Sequence, residues 1–217
     1  MSTITTQTSY LGKAWRRLVD KGPVNTASYS FHVVKKLSLD VYIDLRFGRS
    51  LCVDRAVNHS NPDRCRTEHS NYYVLRELFR YISVKPNDVL VDIGCGDGRV
   101  ISFWLNLGLK NQIIGVEIDE QTAKSTQRRF SRYQNVKIIH GNGASHPPES
   151  GTLFYLFNPF GGSEMLAFER ALRGRNVRIM IYAFHDLKPF EHAQWRIEKL
   201  YSTRDECQYR LASIEAR

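Results

Sequence analysis

The chain has 217 residues, of which 42% are hydrophobic and 12% aromatic, and its net charge is +9. This length and composition are typical of a globular chain that buries one sizeable core, and no run of about 18 apolar residues predicts a transmembrane helix. The basic balance favours acidic partners such as RNA, lipid headgroups or acidic protein patches, although charge that only keeps a protein soluble gives the same excess.

Compartment and metal use are predicted from the termini and the cysteines. The first ten residues, MSTITTQTSY, lack the charged-then-apolar order of a signal peptide. Four cysteines are scattered without a C-x-x-C pair, which favours free thiols in a reducing cytoplasm. His59, Cys65 and His69 have neither a fourth ligand nor a recognised zinc spacing. We therefore expect a cytoplasmic protein without a metal site.

The first 69 residues are predicted to form a helical and loop extension. Apolar residues at helical spacing predict one helix over 9–21 and another over 30–47, the latter with a rough helical period of Phe31, Val34, Leu37, Val41, Tyr42 and Leu45. A polar, turn-rich stretch then continues to residue 69. Loops ahead of a core domain often cover a site, so residues 1–69 are interpreted as a substrate cover.

From residue 70 onward, predicted strands alternate with predicted helices. Helices are expected over 71–83, 99–109, 120–133 and 163–173, and strands over 89–93, 112–119, 136–140, 152–158 and 177–184. Such alternation implies a parallel sheet with right-handed crossovers. Two final strand-like runs, WRIEKLYS and QYRLASIEA, predict an antiparallel hairpin. The expected fold class is α/β: a seven-stranded, mostly parallel sheet with an antiparallel C-terminal hairpin, helices on both faces and an N-terminal helical extension.

The strongest functional signal is the stretch DVLVDIGCGDGRV at residues 88–100. Its apolar run is typical of a strand buried on both faces, and Gly94, Gly96 and Gly98 follow at alternate positions. A glycine-rich turn between a strand and a helix lets backbone approach a ligand and is expected to aim free N–H groups at it. The carboxylate of Asp92, at the end of the strand, disfavours a pyrophosphate and suits a cation. The glycine spacing is G-x-G-x-G, whereas dinucleotide sites have G-x-G-x-x-G.

This stretch resembles the first motif of class I S-adenosylmethionine (SAM) dependent methyltransferases, which have Asp or Glu followed by x-G-x-G-x-G. With the later G-V-E-I-D at 115–119, it is also similar to small prokaryotic protein-lysine and amino-group methyltransferases. The terminal antiparallel hairpin is part of the same family layout. The resemblance implies that residues 70–217 form a SAM-binding methyltransferase domain, with SAM as methyl donor. An ordinary tight turn or a pyridine-nucleotide site is the alternative interpretation.

The resemblance also implies how SAM is held at the strand ends. Asp92 and the glycines Gly94, Gly96 and Gly98 would hold its amino-acid moiety and ribose. Asp97 would accept a hydrogen bond from its ammonium group.

Two further residues follow the second and third strands. Glu117 would accept hydrogen bonds from the ribose hydroxyls, with Asp119 either its competitor or the cap of the next helix. Asn142 stands where the family often has an acidic residue that contacts the adenine amine, and its alternative role is that of a turn residue.

After the fourth strand, Asn158, Pro159 and Phe160 resemble the catalytic motif of amino-group methyltransferases, but one proline of that motif is missing. The resemblance implies a nitrogen acceptor: an amide oxygen and a backbone carbonyl would direct the lone pair of the amine, and the ring would stack on the target or face a cation. The same three residues also serve as a turn. The alternative function is a catalytically silent SAM-fold module that binds RNA or a partner protein.

Overall fold

The computed structural model describes residues 38–48, 70, 72–157, 160–182, 187–202 and 209–216. The chain divides into two compact units, Met1–Tyr42 and Ile43–Arg217. In the first unit only residues 38–42 are described, and they are helical. The predicted helix over 9–21 and the residues His59, Cys65 and His69 lie outside the described ranges. The division of the chain at residue 69 stays a prediction.

Five α-helices and seven strands make up the described part of the chain. The helices are α1 over residues 38–46, α2 Tyr72–Leu78, α3 Arg99–Asn106, α4 Glu120–Phe130 and α5 Gly162–Leu172, with one 3-10 turn at Lys188–Phe190. The strands are β1 Val89–Ile93, β2 Gln112–Glu117, β3 Val136–His140, β4 Leu153–Phe157, β5 Arg178–Tyr182, β6 Trp195–Ser202 and β7 Tyr209–Ala216.

The strands form one sheet in the order β3-β2-β1-β4-β5-β7-β6. The strands β1 to β5 pair in parallel, while β7 runs antiparallel to both β5 and β6. The predicted α/β class, seven-stranded sheet and antiparallel hairpin are thereby confirmed. The chain reverses its direction of travel across the sheet between β1 and β4, and ligands of open α/β sheets bind beyond the carboxyl ends of the strands at such a point.

Helices cover both faces of the sheet because neighbouring strand residues point to opposite sides. On β4, the ring of Phe154 lies 5.8 Å from that of Phe168 on α5. The next residue, Tyr155, points the other way and lies 6.4 Å from Phe79, just after α2. Burial on both faces explains why the central strands are almost continuous apolar runs.

The predicted helix over 30–47 is helical at residues 38–46, but its apolar period there does not mark the buried side. Val41, Tyr42 and Leu45 are exposed by 39%, 54% and 59%, whereas Ile43 and Phe47 are buried to 1% and 4%. Ile43 lies on α1, and Phe47 follows the helix directly, with its amide donating to the carbonyl of Ile43 at 3.1 Å, so both lie on one side. The surface that receives a helix selects the buried side, and apolar content alone does not specify it.

A buried carboxylate ties α5 to the start of β6. Glu169 has no exposed surface, and its Oε1 accepts a 2.8 Å hydrogen bond from Trp195 Nε1. His192 Nε2 lies 2.8 Å from the same oxygen, and Arg173 Nη2 donates to Oε2 at 2.7 Å. Burial raises the pKa of Glu169, but the hydrogen bonds from Arg173, Trp195 and His192 outweigh it and hold the pKa below its usual value.

We expect Glu169→Gln to lower the free energy of unfolding at pH 7 by about 1–3 kcal/mol, since the buried Trp195 donor and the more exposed Arg173 and His192 lose a charged acceptor. The native pKa is depressed, so the carboxylate stabilises above the unfolded-state pKa of about 4.3. That stabilisation is lost as pH falls through the native pKa. Urea unfolding between pH 7 and pH 3 should therefore show a shallower acid loss in Glu169→Gln than in the wild type. Exposed Glu215→Gln is the control, and parallel pH curves for the wild type and Glu169→Gln would refute the assignment.

Candidate active site

A cavity opens at the carboxyl ends of β1 and β4, where the sheet changes direction. Its walls come from the end of β1, the loop at residues 94–97, the first turn of α3, the end of β4 and the single residue Ser70. The sheet topology therefore places a pocket at the position where open α/β sheets bind their ligands.

Glycine is required in this loop for two different reasons. Gly94, Gly96 and Gly98 have φ angles of 74°, 52° and 77°, in the left-handed region that L side chains rarely adopt. A Cβ added at Gly98 would lie 2.5 Å from Cε2 of Phe130, whereas one at Gly94 or Gly96 would meet nothing within 4 Å. Gly98 lets α4 pack closely, and the first two glycines leave open space beside the cavity.

The loop does not present the free N–H groups expected of it at three positions. The amides of Gly94 and Cys95 donate to the carbonyl of Val116 at 2.8 and 3.0 Å, and the amide of Gly96 donates to Glu117 Oε2 at 2.8 Å. The expectation is wrong there because the loop satisfies its own donors against the end of β2. At these three positions the backbone has no free N–H group to offer a ligand.

Asp92 places an unpaired carboxylate in the wall of the cavity. It is 3% exposed, it lies in register with Gly115 of β2 and Tyr155 of β4, and its Oδ2 is buried without a hydrogen-bond partner. Burial, followed by the charges of Glu117 and Asp97, raises the pKa of Asp92 well above its ordinary value. A buried acceptor without a donor is costly, and a cationic ligand in this cavity would relieve that cost.

Glu117 ends β2 and connects the loop to α4. Its Oε2 holds the amide of Gly96, and its Oε1 accepts from the amide of Asp119 at 2.9 Å. Asp119 in turn accepts from the amide of Thr122 at 2.8 Å and caps α4, which confirms its alternative interpretation as a cap. A carboxylate has about four acceptor positions, so these two bonds leave Glu117 capacity for further donors.

Asn142 forms a turn after β3. Its Oδ1 accepts from the amide of Ala144 at 2.9 Å, and its side chain is exposed. This is the turn role that the sequence left open. A contact with adenine stays a prediction.

Asn158 and Pro159 lie outside the described residues. Phe157 precedes them and lines the cavity. Phe160 follows them and is partly buried against the core, with its ring 5.6 Å from that of Phe168. Sequence reasoning missed Phe157, although its place at the end of a predicted parallel strand is the signal that would have found it.

Arg99 was also missed, and it lines the cavity as the first residue of α3. Its Nη2 lies 3.4 Å from Asp44 Oδ2, and its guanidinium carbon lies 4.2 Å from the centroid of the Tyr72 ring. The hydroxyl of Tyr72 donates to Asp44 Oδ1 at 2.6 Å. Burial, with the bond to Asp44, raises the pKa of Tyr72 above its ordinary range. No sequence pattern joins residues so far apart in the chain.

A cluster of metal ligands and a membrane-spanning helix are both absent from the described residues. Within the described ranges, no three His, Cys, Asp or Glu side chains are grouped so that they could hold a metal ion. None of the helices in those ranges has the length and apolar character needed to span a bilayer.

Residues 90–192 match the family described as a methyltransferase domain. A probable cobalt-precorrin-6B C(15)-methyltransferase (decarboxylating) of Archaeoglobus fulgidus is 30% identical over 101 residues, which are 46% of this chain and 60% of the relative. The ribosomal RNA small subunit methyltransferase A of Thermotoga neapolitana is 34% identical over 65 residues, which are 30% of this chain and 24% of the relative. The chain thus spans less than two thirds of the length of each of these relatives.

A solved structure shares the fold. The methyltransferase domain of bacterial CtHen1-C superposes with a TM-score of 0.52 at 12% identity, covering 67% of this chain and 96% of that one. The family match contains the glycine loop, and the sheet has the antiparallel terminal hairpin that the resemblance implied. Residues 90–192 thus resemble a methyltransferase domain, and the described part of the chain has the α/β fold of class I, Rossmann-like methyltransferases.

Proposed function

We propose that this protein transfers a methyl group from SAM to a nitrogen atom of its acceptor. The observation that supports it most is the buried, unpartnered carboxylate of Asp92 in the cavity beside the glycine loop. When bound, SAM supplies a methyl group on a positively charged sulfur, and the C–S electron pair stays on sulfur as the acceptor takes the methyl. The residues around the cavity bind and orient the two reactants and exclude water from them. This is the main protein contribution to such a displacement.

The cavity fits the cationic end of SAM. Asp92 and Asp97 both line it, and they supply negative charge to the ammonium and sulfonium groups. Gly94 and Gly96 leave room on the cavity side of the loop, while Gly98 keeps the loop close to α4. A pyridine nucleotide would instead bring a pyrophosphate next to a buried carboxylate, which like charges disfavour.

The adenosine end is assigned to the next two strand ends. Glu117 accepts from the ribose hydroxyls with the acceptor positions that its two backbone bonds leave. Oδ1 of Asn142 already accepts a hydrogen bond from the amide of Ala144. Its second lone pair accepts from the adenine amine. These assignments rest on the family resemblance and on the position of both residues at carboxyl ends of parallel strands.

The acceptor nitrogen is assigned to the segment after β4. Asn158 is the first residue after Phe157, which lines the cavity, so the chain enters the segment at the cavity wall. In this proposal, the Asn158 amide oxygen and the Pro159 carbonyl accept hydrogen bonds from the amine and aim its lone pair at the methyl. The ring of Phe160 packs against Phe168, which favours a role in supporting this segment. The motif resemblance implies instead that the ring stacks on the acceptor.

RNA is the acceptor class that charge and relatives favour together. The net charge is +9, and one of the relatives is named as a ribosomal RNA methyltransferase. The deciding experiment incubates the protein with methyl-labelled SAM and a cell lysate, then separates RNA, DNA, protein and small molecules. Label in RNA supports this acceptor, whereas label in the protein fraction favours the lysine-methyltransferase resemblance. No label in any fraction, with SAM bound, contradicts the catalytic proposal.

The second candidate is a catalytically silent module that binds RNA or a partner protein, favoured by the missing proline of the motif at 158–160. Binding through about three phosphates should lose about 20-fold in affinity between 50 and 200 mM salt. Fluorescence anisotropy with a labelled RNA measures this dependence. Steep salt dependence together with bound SAM and no methyl transfer supports the silent module, and salt-insensitive binding counts against RNA.

A further inference from the structure

We propose that Arg99 binds the carboxylate of the SAM amino-acid moiety and that Asp44 positions Arg99 for this contact. The proposal deepens the SAM-binding assignment above and rests on it. It gives a residue outside the matched family region, Asp44, a defined part in the cofactor site.

Opposite charges line the same cavity. Asp92 contributes a buried carboxylate oxygen without a partner, and Arg99 contributes a guanidinium whose side chain is 11% exposed. The amino-acid end of SAM carries an ammonium and a carboxylate on one carbon. A wall containing both a carboxylate and a guanidinium is complementary to such a zwitterion, because each ligand charge meets its opposite.

The start of α3 favours an anion at the same place. Arg99 and Val100, its first two residues, both line the cavity. The cap position is Gly98, which makes no side-chain hydrogen bond, and the first turn of α3 contains no acidic residue. The positive end of the helix dipole therefore lies at the cavity wall, where it favours an anion beside the carboxylates of Asp92 and Asp97.

Asp44 and Tyr72 both contact the guanidinium of Arg99. The ring of Tyr72 lies against the guanidinium, and Asp44 accepts from the Tyr72 hydroxyl with one oxygen while its other oxygen lies 3.4 Å from Arg99. The exposed fraction of the Asp44 side chain is 6%. A guanidinium carries five N–H donors in a planar fork, which allows it to contact Asp44 and a ligand carboxylate together.

The test compares three probes on the purified full chain by calorimetry: SAM, decarboxylated SAM and 5′-methylthioadenosine. Decarboxylated SAM keeps the amine and sulfonium but lacks the carboxylate, and 5′-methylthioadenosine lacks the amino-acid moiety altogether. Arg99→Met should weaken SAM about 10- to 100-fold, as loss of a charge-assisted contact does. Its affinity for the other two probes should stay within about twofold of the wild type.

Exposed Arg128→Met on α4 is the matched control and should leave all three affinities unchanged. Equal weakening of all three probes by Arg99→Met would show a purely structural role and overturn the proposal, and so would unchanged SAM affinity. If the wild type binds none of the probes, the SAM assignment itself fails, which is a separate outcome. Should Arg99→Met not fold, Arg99→Lys keeps the charge without the fork and should show a smaller loss confined to SAM.

Asp44→Asn tests the positioning role. It should weaken SAM by less than Arg99→Met does, and the double variant should be no weaker than Arg99→Met alone, because both changes act through one guanidinium. Additive losses in the double variant would overturn the role of Asp44. A drop in melting temperature with unchanged affinity for SAM would overturn it as well.

Discussion

Asp92→Asn is expected to weaken SAM binding about 10- to 100-fold, the scale of losing a hydrogen bond to a charged group, while the melting temperature stays the same or rises. Affinity should fall because the cationic end of SAM loses its buried carboxylate. Stability should not fall because Oδ2 of Asp92 has no partner in the folded chain. Calorimetry and thermal unfolding on the same preparation measure both effects, and intact SAM affinity would contradict the site assignment.

Asp92 should also make both the stability of the protein and its affinity for SAM depend on pH. The native pKa of Asp92 is raised by burial and by the charges of Glu117 and Asp97, above an unfolded value of about 3.9. Stability from this group is therefore present below that unfolded value and lost as pH rises through the native pKa. Binding of a cation needs the ionised form, so wild-type affinity should rise over the same pH range with release of a proton, and Asp92→Asn should show neither effect.

Asp88→Asn is the control for this pair of measurements, because Asp88 lies at the opposite end of β1 and is fully partnered. It accepts from Thr152 Oγ1 at 3.0 Å and from Arg178 Nη2. Burial raises the pKa of Asp88, but these bonds and one from the Lys85 amide outweigh it and lower the pKa. Asp88→Asn should lower the melting temperature and leave SAM affinity unchanged, the reverse of Asp92→Asn.

Asn158→Ala is expected to reduce the single-turnover rate by about two orders of magnitude or more, with SAM affinity nearly intact. If Asn158 orients the acceptor amine, its loss misaligns the attacking lone pair without disturbing the cofactor. If it is only a turn residue, the melting temperature falls and the rate for each folded molecule is unchanged. A normal rate in a folded Asn158→Ala protein would end the catalytic assignment and leave the SAM assignment standing.

Phe160→Ala tests the role of the Phe160 ring separately from that of the Asn158 amide. Its ring packs 5.6 Å from Phe168 and against the core, so its loss should lower the melting temperature. Stacking on the acceptor, as the sequence motif implies, would in addition raise KM with little change in kcat. A lowered melting temperature with unchanged KM would assign Phe160 to the core alone.

Much of the fold could be predicted because its signals are local. The central strands are short apolar runs, and the helices between them repeat apolar residues at helical spacing, so strand and helix positions agree with the structure to within a few residues. The boundaries differ most where a helix ends: the predicted helix over 71–83 ends at Leu78. Helix ends are poorly specified by periodicity, because tertiary contacts decide where the last turn stops.

The sequence by itself determined the glycine loop, the carboxylate at the end of β1, the parallel sheet and its antiparallel ending, since each depends on residue type at fixed short spacing. Tertiary structure alone decided that α1 buries Ile43 and exposes Leu45, that Phe160 packs against Phe168, and that the loop amides are satisfied by β2. Only the tertiary structure brings Asp44 next to Arg99, because the two residues are 55 positions apart in the chain. The physical reason is that burial and ion pairing depend on which surfaces the folded chain brings together, and such non-local contacts have no periodic pattern in the sequence.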